Sequence, residues 1–256
     1  MNSVAVSWPR KFEVFGVGIS AVTYDEVEEK ILAAAKARQS ATVTHISSHG
    51  LTMAARDEKF REVINSFDIA APDGQPVRWS LNWFHKAGLA DRCYGPEMMI
   101  RLCRGAARQG VSIYLYGSSN EVLDQLSWNL KQQCPSLVIA GVESPPFRAL
   151  SAEETEAAIA RINASGAGIV FIGLGCPRQD LFAAEHKHKI QAVQSCVGAA
   201  FDFHAGNKKM APNWMQRHGL EWFYRLTQEP SRLWKRYLSI HTTFALLLTR
   251  RMILGR

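Results

Sequence analysis

The sequence has few of the features that mark secreted or membrane-spanning proteins. It contains five cysteines, an odd number, and none of them forms a C-x-x-C pair. This usage is typical of reduced thiols in a cytosolic protein. The first residues lack the apolar stretch of a signal peptide, and Arg250 and Arg251 interrupt an apolar run that is shorter than the roughly 20 residues of a spanning helix. We therefore expect a cytoplasmic protein.

The chain also lacks internal repeats, low-complexity tracts and Pro/Gly/Ser-rich linkers, but its charge is unevenly distributed. Residues 1–206 contain 20 Lys+Arg and 21 Asp+Glu, whereas residues 207–256 contain 10 and 2. The whole basic excess therefore lies in the last fifth of the chain, where it could attract phosphate, anionic lipid or nucleic acid. We expect a catalytic domain over residues 1–206 and a basic, aromatic helical appendage over residues 207–256.

Apolar runs alternate with stretches of helical periodicity before residue 206. The pattern predicts strands at 12–18, 41–46, 67–71, 111–116, 137–142, 168–174 and 195–203. It predicts helices at 24–38, 50–65, 75–84, 96–109, 119–133, 151–164 and 178–189. This alternation indicates an α/β fold, with a Rossmann-like, mostly parallel sheet and helices on both of its faces. Such sheets bind ligands at the carboxyl ends of their strands.

The turn after the second predicted strand carries histidines and hydroxyl groups. His45, Ser47 and His49 fall within Thr44–Gly50, just before a predicted helix. They could cap the helix, lie in the core or contact a sugar, and these alternatives stay open. A metal site is less favoured because a third ligand is missing.

Asp73 and Gly74 follow the third predicted strand in a Pro-Asp-Gly turn. The aspartate has two interpretations of equal weight. It could cap the following helix, as turn aspartates do. It could equally be a carboxylate at the sheet edge that acts as a general base.

Glycine-rich turns follow two further strands, at Tyr116–Ser119 and at Gly173–Gln179. Small residues at the start of a helix admit a phosphate or a ribose. Neither turn has the third glycine of a dinucleotide fingerprint, so a nicotinamide site is weakly supported. A Rossmann-type oxidoreductase or methyltransferase is nevertheless the alternative that these turns leave open.

In the appendage, Arg225, Arg232 and Arg236 have near-helical spacing and lie among tryptophan and tyrosine residues. The sequence of this segment predicts two short helices. A solvated basic face over an apolar stripe would explain the pattern. Tryptophan beside arginine also suits a membrane interface, where the cations would meet phosphate groups.

With these motifs in view, the chain resembles the WecG/TagA/CpsF family of bacterial glycosyltransferases from about Val14 to Leu238. The resemblance is carried by PDGQPVRW at 72–79, RCYGPEMM at 92–99, GLGCPRQD at 173–180 and a long block that begins with VGAAFDFHAG at 197. It implies a Rossmann-like inverting transferase. Such an enzyme moves a sugar from a UDP-sugar to a polyprenyl-diphosphate-linked glycan in cell-surface or exopolysaccharide synthesis.

The resemblance also implies roles for individual residues. Asp73 matches the aspartate that the family is thought to use as its base. Arg225, Arg232 and Arg236 match arginines of a family appendage that is thought to close over the site and meet the membrane. Arg92, Gln179 and Asp202 match polar residues around the family's sugar-nucleotide pocket. The turns and motifs of this sequence add further expected substrate-binding residues, which are His45, Ser47, His49, Gly74, Tyr94, Gly117, Gly175, Pro177 and Gly198.

The sequence departs from the family pattern at one place. Many members carry Thr-x-Asn where this chain has His45-Ile46-Ser47. The departure leaves the donor sugar open between N-acetylmannosamine-like sugars, glucuronic acid and related sugars, while the type of reaction is unaffected.

The expected partners follow from the same resemblance. They are a UDP-sugar, a lipid-linked glycan and the inner-membrane surface, with no nucleic acid and a possible homo-oligomer. The chain has no Asp-x-Asp, the usual metal-nucleotide motif of many glycosyltransferases. We therefore expect no cofactor and no metal, with Arg225 or Arg232 and backbone N–H groups stabilising the leaving diphosphate. The expected location is the cytoplasm, peripherally associated with the inner face of the cell membrane.

Overall fold

A six-stranded parallel sheet forms the centre of the fold in a computed structural model that describes residues 6–254. Its strand order is β4-β3-β8-β7-β5-β6, and every neighbouring pair runs parallel. The strands are β3 (Ala41–Ile46), β4 (Ile69–Pro72), β5 (Ile113–Gly117), β6 (Ile139–Glu143), β7 (Ile169–Gly173) and β8 (Val193–Cys196). A separate antiparallel hairpin precedes them, formed by β1 (Lys11–Val14) and β2 (Val17–Ser20). The predicted α/β, Rossmann-like architecture is confirmed.

Helices connect and cover the strands, and several begin at hydroxyl side chains that cap them. Thr23 and Ser151 form capping boxes with Glu26 and Glu154, which satisfy N–H groups at the helix start. The helices of the sheet domain are α1 (Tyr24–Lys36), α2 (Ser48–Arg56), α3 (Glu58–Ser66), α4 (Gln75–His85), α5 (Gly95–Gln109), α6 (Asn120–Gln133), α7 (Ala152–Ala164), α8 (Arg178–Glu185) and α9 (Ala200–Ala205). The appendage contains α10 (Asn213–Arg217), α11 (Glu221–Gln228) and α12 (Pro230–Leu254).

Helices lie on both faces of the sheet because its strands are apolar on both sides. Along β7, Phe171 packs into one core cluster, while Val170 and Ile172 pack into another. The first cluster includes residues of α1, α5 and α6, and the second includes residues of α7 and α8. Successive strand residues point to opposite faces, so each strand contributes to both cores.

The strand predicted at 12–18 is wrong, because this segment forms the hairpin instead. Phe15 and Gly16 both have positive φ, 55° and 82°, and make the turn between β1 and β2. A two-residue turn of this kind matches the twist of a hairpin and requires left-handed backbone conformations.

The single helix predicted at 50–65 is also wrong, because the structure has two helices there, α2 and α3. The Asp57 side chain accepts a hydrogen bond from the Phe60 N–H and so caps the start of α3.

The strand predicted at 195–203 is also wrong beyond Cys196. Gly198 has a φ of +51°, and the chain then turns into α9. Asp202 therefore lies on a short helix and not on a strand. The continuous apolar run concealed this change because a buried strand and a buried helix segment have similar compositions.

The appendage packs against the sheet domain. Leu233 and Ile240 are buried, and Phe244 contacts Phe15 of the hairpin turn edge to face, with 5.5 Å between ring centroids. The third appendage helix, α12, has 25 residues and is longer than either of the two short helices that the sequence indicated. Among residues 6–254 no helix is long and apolar enough to cross a membrane. A domain boundary near residue 206 stays a prediction.

Candidate functional site

A cleft of about 910 Å³ opens at the carboxyl ends of the sheet strands. The turns that follow β3, β4, β7 and β8 form its floor, and α11 and α12 of the appendage form one of its walls. The site is therefore made by two parts of the chain that are distant in sequence. This position is the one at which parallel sheets bind ligands.

Most of the residues that the sequence singled out line this cleft. They are His45, Ser47, His49, Asp73, Gly74, Arg92, Tyr94, Gly175, Gln179, Gly198, Asp202, Arg225, Arg232 and Arg236. The structure thus brings together side chains as far apart in sequence as His45 and Arg236, about three quarters of the length of the chain.

Gly117 and Pro177 are absent from the lining. Gly117 has a φ of +122°, and a Cβ on it would lie 2.7 Å from the backbone carbon of Gly173. Its role is therefore to let β5 approach the end of β7 closely. Pro177 lies immediately before α8.

Asp73 lies directly after β4, and its carboxyl group is not used in capping. Helix α4 begins after Gly74, and no side chain caps it. The Asp73 Oδ1 atom is buried and has no hydrogen-bonding partner among residues 6–254. The helix-cap interpretation of this aspartate is therefore wrong, and its carboxyl group is available for chemistry.

Burial raises the pKa of Asp73 to about 7. The Arg92 guanidinium opposes this shift and the Glu221 carboxylate adds to it. A carboxyl group with a pKa near neutrality exchanges a proton readily at physiological pH. Asp73 thus has the placement and the acidity of a general base.

A buried cluster beside Asp73 joins the sheet domain to the appendage. The Arg92 Nη2 atom lies 2.7 Å from Oε2 of Glu221, and the Tyr94 hydroxyl donates to Oε1 of Glu221 at 3.1 Å. Arg92 also donates to Oε1 of Gln216 at 3.1 Å. Its guanidinium lies 4.1 Å from the centre of the Tyr94 ring, as in a cation–π contact.

Sequence reasoning missed Glu221, although one signal pointed to it. It is one of only two acidic residues among residues 207–256, the other being Glu229. An acidic residue within a strongly basic segment is a good candidate for a specific pair.

His45 is a neutral imidazole in the cleft wall. Its Nδ1 atom lies 3.2 Å from the Cys93 carbonyl oxygen, which only accepts, so Nδ1 carries the proton. Burial lowers the pKa of His45 to about 4. Its Nε2 atom is buried without a partner among the described residues and is left as a hydrogen-bond acceptor.

The other residues of this turn have different roles. Ser47 caps α2, since its hydroxyl accepts a hydrogen bond from the Gly50 N–H. His49 lines the cleft on α2, where burial and the charge of Arg236 lower its pKa.

Gln179 holds two glycine turns of the cleft floor in place. Its Oε1 atom accepts a hydrogen bond from the Gly175 N–H at 3.2 Å. A Cβ on Gly198 would lie 3.2 Å from the same oxygen, so the second turn also passes close to this side chain. Both glycines have positive φ, which other residues rarely adopt.

Cations converge on the cleft from the appendage. Lys208, Arg225, Arg232 and Arg236 all line it. Lys208 pairs with Asp202 at 3.1 Å and Arg232 pairs with Glu229 at 2.5 Å, whereas Arg225 lies over the Phe203 ring at 5.9 Å. This excess of positive charge favours the binding of a diphosphate.

Within residues 6–254 no group of three or more His, Cys, Asp or Glu side chains could hold a metal ion.

Comparison with known proteins gives consistent results. A family model described as the glycosyl transferase WecG/TagA/CpsF family matches residues 12–256. The chain is also similar to an N-acetylglucosaminyldiphosphoundecaprenol N-acetyl-beta-D-mannosaminyltransferase of Bacillus subtilis (strain 168). The two are 34% identical over 190 residues, which cover 73% of this chain and 71% of the relative.

Proposed function

The chain belongs to the WecG/TagA/CpsF family of glycosyltransferases, and from this premise we propose that it transfers a sugar from a UDP-sugar to a polyprenyl-diphosphate-linked glycan with inversion at the anomeric carbon. The observation that carries the proposal is the buried carboxyl of Asp73, whose Oδ1 atom has no partner among residues 6–254, at the floor of a cleft lined with arginines.

The reaction is a single displacement. Asp73 accepts the proton of an acceptor hydroxyl, whose oxygen forms a bond to the anomeric carbon while the bond from that carbon to the UDP oxygen breaks. Attack on the face opposite the departing UDP inverts the configuration. Glu221 is bound to Arg92 and Tyr94, and Asp202 is paired with Lys208, so Asp73 is the cleft carboxylate left to act as the base.

The departing UDP carries negative charge that the cleft can stabilise. Arg225 and Arg232 line the cleft from the appendage, and the Gly175 turn precedes the start of α8. Donors placed where charge develops lower the barrier without needing to reorganise. These groups support catalysis without a divalent metal.

His45 favours a donor sugar that presents a hydrogen-bond donor. Its Nδ1–H is occupied by the Cys93 carbonyl, so Nε2 can accept from an acetamido N–H or a hydroxyl group. A carboxylate has no hydrogen to offer it, so a glucuronic acid donor would have to meet Nε2 with a ring hydroxyl group. The activity named for the B. subtilis relative favours an N-acetylmannosamine-like donor and a lipid-linked N-acetylglucosamine diphosphate acceptor.

The appendage also has the surface of a peripheral membrane protein. Its exposed apolar side chains lie on α10, α11 and α12 and include Trp214, Phe223, Trp234, Leu238, Leu246, Met252 and Ile253. Aromatic rings beside lysine and arginine suit the headgroup region of a bilayer. Such attachment would bring the cleft to a lipid-linked acceptor.

The test is transfer by the full chain. The purified protein is incubated with a synthetic lipid-linked N-acetylglucosamine diphosphate and each of a panel of UDP-sugars. Products are identified by mass spectrometry, and their anomeric configuration is determined by NMR. We expect one added N-acetylhexosamine in the anomeric configuration opposite to that of the donor. Retained configuration would contradict the mechanism, and saturable binding of NAD without binding of UDP would favour the oxidoreductase alternative.

A further inference from the structure

Glu221 connects the appendage to the catalytic base. It begins α11, and its side chain is only 14% exposed. Both of its oxygens are bound by residues of the loop before α5, one by Arg92 and the other by Tyr94. A buried carboxylate with two such partners has a defined position, and it defines theirs.

Arg92 has two buried carboxylates within electrostatic reach but is bound to only one of them. It pairs with Glu221 at 2.7 Å, while the Oδ1 atom of Asp73 has no partner among residues 6–254. Arg92 itself is 7% exposed, so water cannot replace a lost partner easily. Without Glu221, the attraction between a buried guanidinium and a buried carboxylate would draw Arg92 toward Asp73. An Asp73 carboxylate paired in this way would be a poorer proton acceptor.

We propose that Glu221 is a positioning residue, which holds Arg92 and Tyr94 so that the Asp73 carboxylate stays free to accept a proton. Since Glu221 lies on the appendage, the base would be correctly arranged only when the appendage is seated on the sheet domain. The inference rests on the proposed function, in which Asp73 is the base.

The remaining charged and titratable groups around Asp73 do not alter this argument. They are Tyr24 of α1, His45 of β3, Asp91, Cys93 and Tyr94 of the loop before α5, and Arg225 of α11. Burial raises the pKa of Tyr24, Tyr94 and Cys93, which therefore stay neutral near pH 7. His45 is neutral as well, because burial lowers its pKa to about 4. Arg225 lowers the pKa of Asp73 in both the wild type and a Glu221 variant.

The experiment compares the wild type with Glu221→Gln, which keeps the shape of the side chain and removes its charge. Two measurements are made on the full chain. The first is the titration of the Asp73 carboxyl followed by ¹³C NMR, in which the Asp73 signal is identified as the one that Asp73→Asn lacks. The second is the pH dependence of kcat/KM. We expect Asp73 to titrate at lower pH in Glu221→Gln and the acidic limb of kcat/KM to move in the same direction. Misplacement of Arg92 is expected to lower kcat/KM by up to about 100-fold.

Glu13→Gln is the matched control. Glu13 pairs with Arg251 of α12 at 3.2 Å, so it also joins the sheet domain to the appendage by a carboxylate–arginine pair, but it lies outside the cleft. We expect this variant to keep the wild-type titration and pH profile. A shift as large as that of Glu221→Gln would contradict a specific role for Glu221.

Two further outcomes separate the inference from the proposed function. If Asp73 titrates at the same pH in Glu221→Gln and in the wild type, the inference is overturned whatever sugar is transferred. If the titration shifts but no lipid-linked acceptor yields a product, the proposed reaction is overturned and the inference stands.

A double variant keeps the test valid should Glu221→Gln fold poorly. Arg92→Gln combined with Glu221→Gln removes both charges and leaves no buried guanidinium to approach Asp73. We expect Asp73 to titrate at nearly the same pH in this double variant as in Arg92→Gln alone, because Glu221 then has no guanidinium to hold. A shift between these two variants as large as that between the wild type and Glu221→Gln would mean that Glu221 acts on Asp73 only through its own charge, and would overturn the inference.

Discussion

The backbone N–H of Asp73 donates a hydrogen bond of 3.0 Å to the carbonyl oxygen of Ile46, which extends the pairing of β3 and β4 by one residue beyond the end of β4. The position of the proposed base is therefore fixed by sheet hydrogen bonding and not by a flexible loop. The same pairing sets His45 of β3 opposite Ala71, two residues before Asp73, and both His45 and Asp73 have a buried polar atom without a partner among residues 6–254.

Asp73→Asn is expected to abolish most of the transfer activity while the protein still binds UDP. A positioned general base contributes roughly 10²–10⁴-fold to the rate, and asparagine has a similar shape without basicity. Steady-state kinetics with a lipid-linked acceptor and calorimetry with UDP would measure the two effects. Turnover near that of the wild type would rule out Asp73 as the base.

The same variant is expected to be more stable than the wild type above neutral pH. Because the pKa of Asp73 is about 7 in the folded protein and 3.8 in its ordinary setting, folding at pH 8 must bury a charge. This cost is largest above pH 7, shrinks as the pH falls and disappears below the unfolded pKa. Asparagine removes it, so the free energy of unfolding should rise by roughly 1–4 kcal/mol at pH 8. Urea unfolding at pH 8 and pH 5 would check this, and an equal gain at both would contradict it.

Activity is expected to depend on the ionisation of Asp73. The base must be deprotonated, so kcat/KM should be level above a pH of about 7 and fall below it by about tenfold per pH unit. His45 should add nothing to this limb, because its pKa of about 4 keeps it neutral throughout the range. A limb centred near pH 4 would instead indicate an unperturbed carboxylate.

Arginine in the appendage is expected to replace the metal ion that many glycosyltransferases use. Arg225→Gln and Arg232→Gln should each lower kcat by roughly 10²–10³-fold, the effect of losing one donor to a developing charge. Arg250→Gln, at an exposed position of α12 outside the cleft, is the control and should retain activity. EDTA should leave the wild type active. Loss of activity in EDTA and its recovery with manganese would overturn the prediction.

The appendage is expected to mediate membrane attachment through its exposed aromatic and apolar side chains. Trp234→Ala combined with Leu238→Ser should weaken binding to vesicles that contain anionic lipid, and high salt should weaken it further. Trp128→Ala is the matched control, since Trp128 is 61% exposed but lies on α6 of the sheet domain. Vesicle flotation would measure the binding, and equal losses in both variants would argue against attachment through the appendage. Deletion from Asn207 onward should remove both attachment and activity.

The sheet and most of its helices could be predicted because their signals are local. Apolar runs marked the buried strands, and residues such as Ser119 and Ser151 marked the helix starts that they cap. The end of β8 could not be predicted in this way. Its apolar run continues from Cys196 into α9, and only the left-handed Gly198 separates the two elements.

The site was predictable where a residue follows a strand and hidden where its role depends on a distant partner. Asp73 stood out because it ends a strand in a recognisable turn. Glu221 did not, because its importance comes from Arg92, 129 residues earlier in the chain. Gly117 was predicted to bind substrate because turn glycines often do, whereas its backbone is needed for the approach to Gly173.

The hairpin turn at Phe15 and Gly16 has a consequence for the order of events during synthesis. Phe244 and Arg251 of α12 contact Phe15 and Glu13, so the hairpin packs against a helix that lies more than 200 residues later in the chain. A ribosome makes the hairpin and the sheet well before α12. The two carboxylates near Arg92 also emerge far apart in time, Asp73 early and Glu221 late. A nascent chain therefore contains the proposed base long before the group that arranges it, and we expect transfer activity to arise only after α11 and α12 have been synthesised.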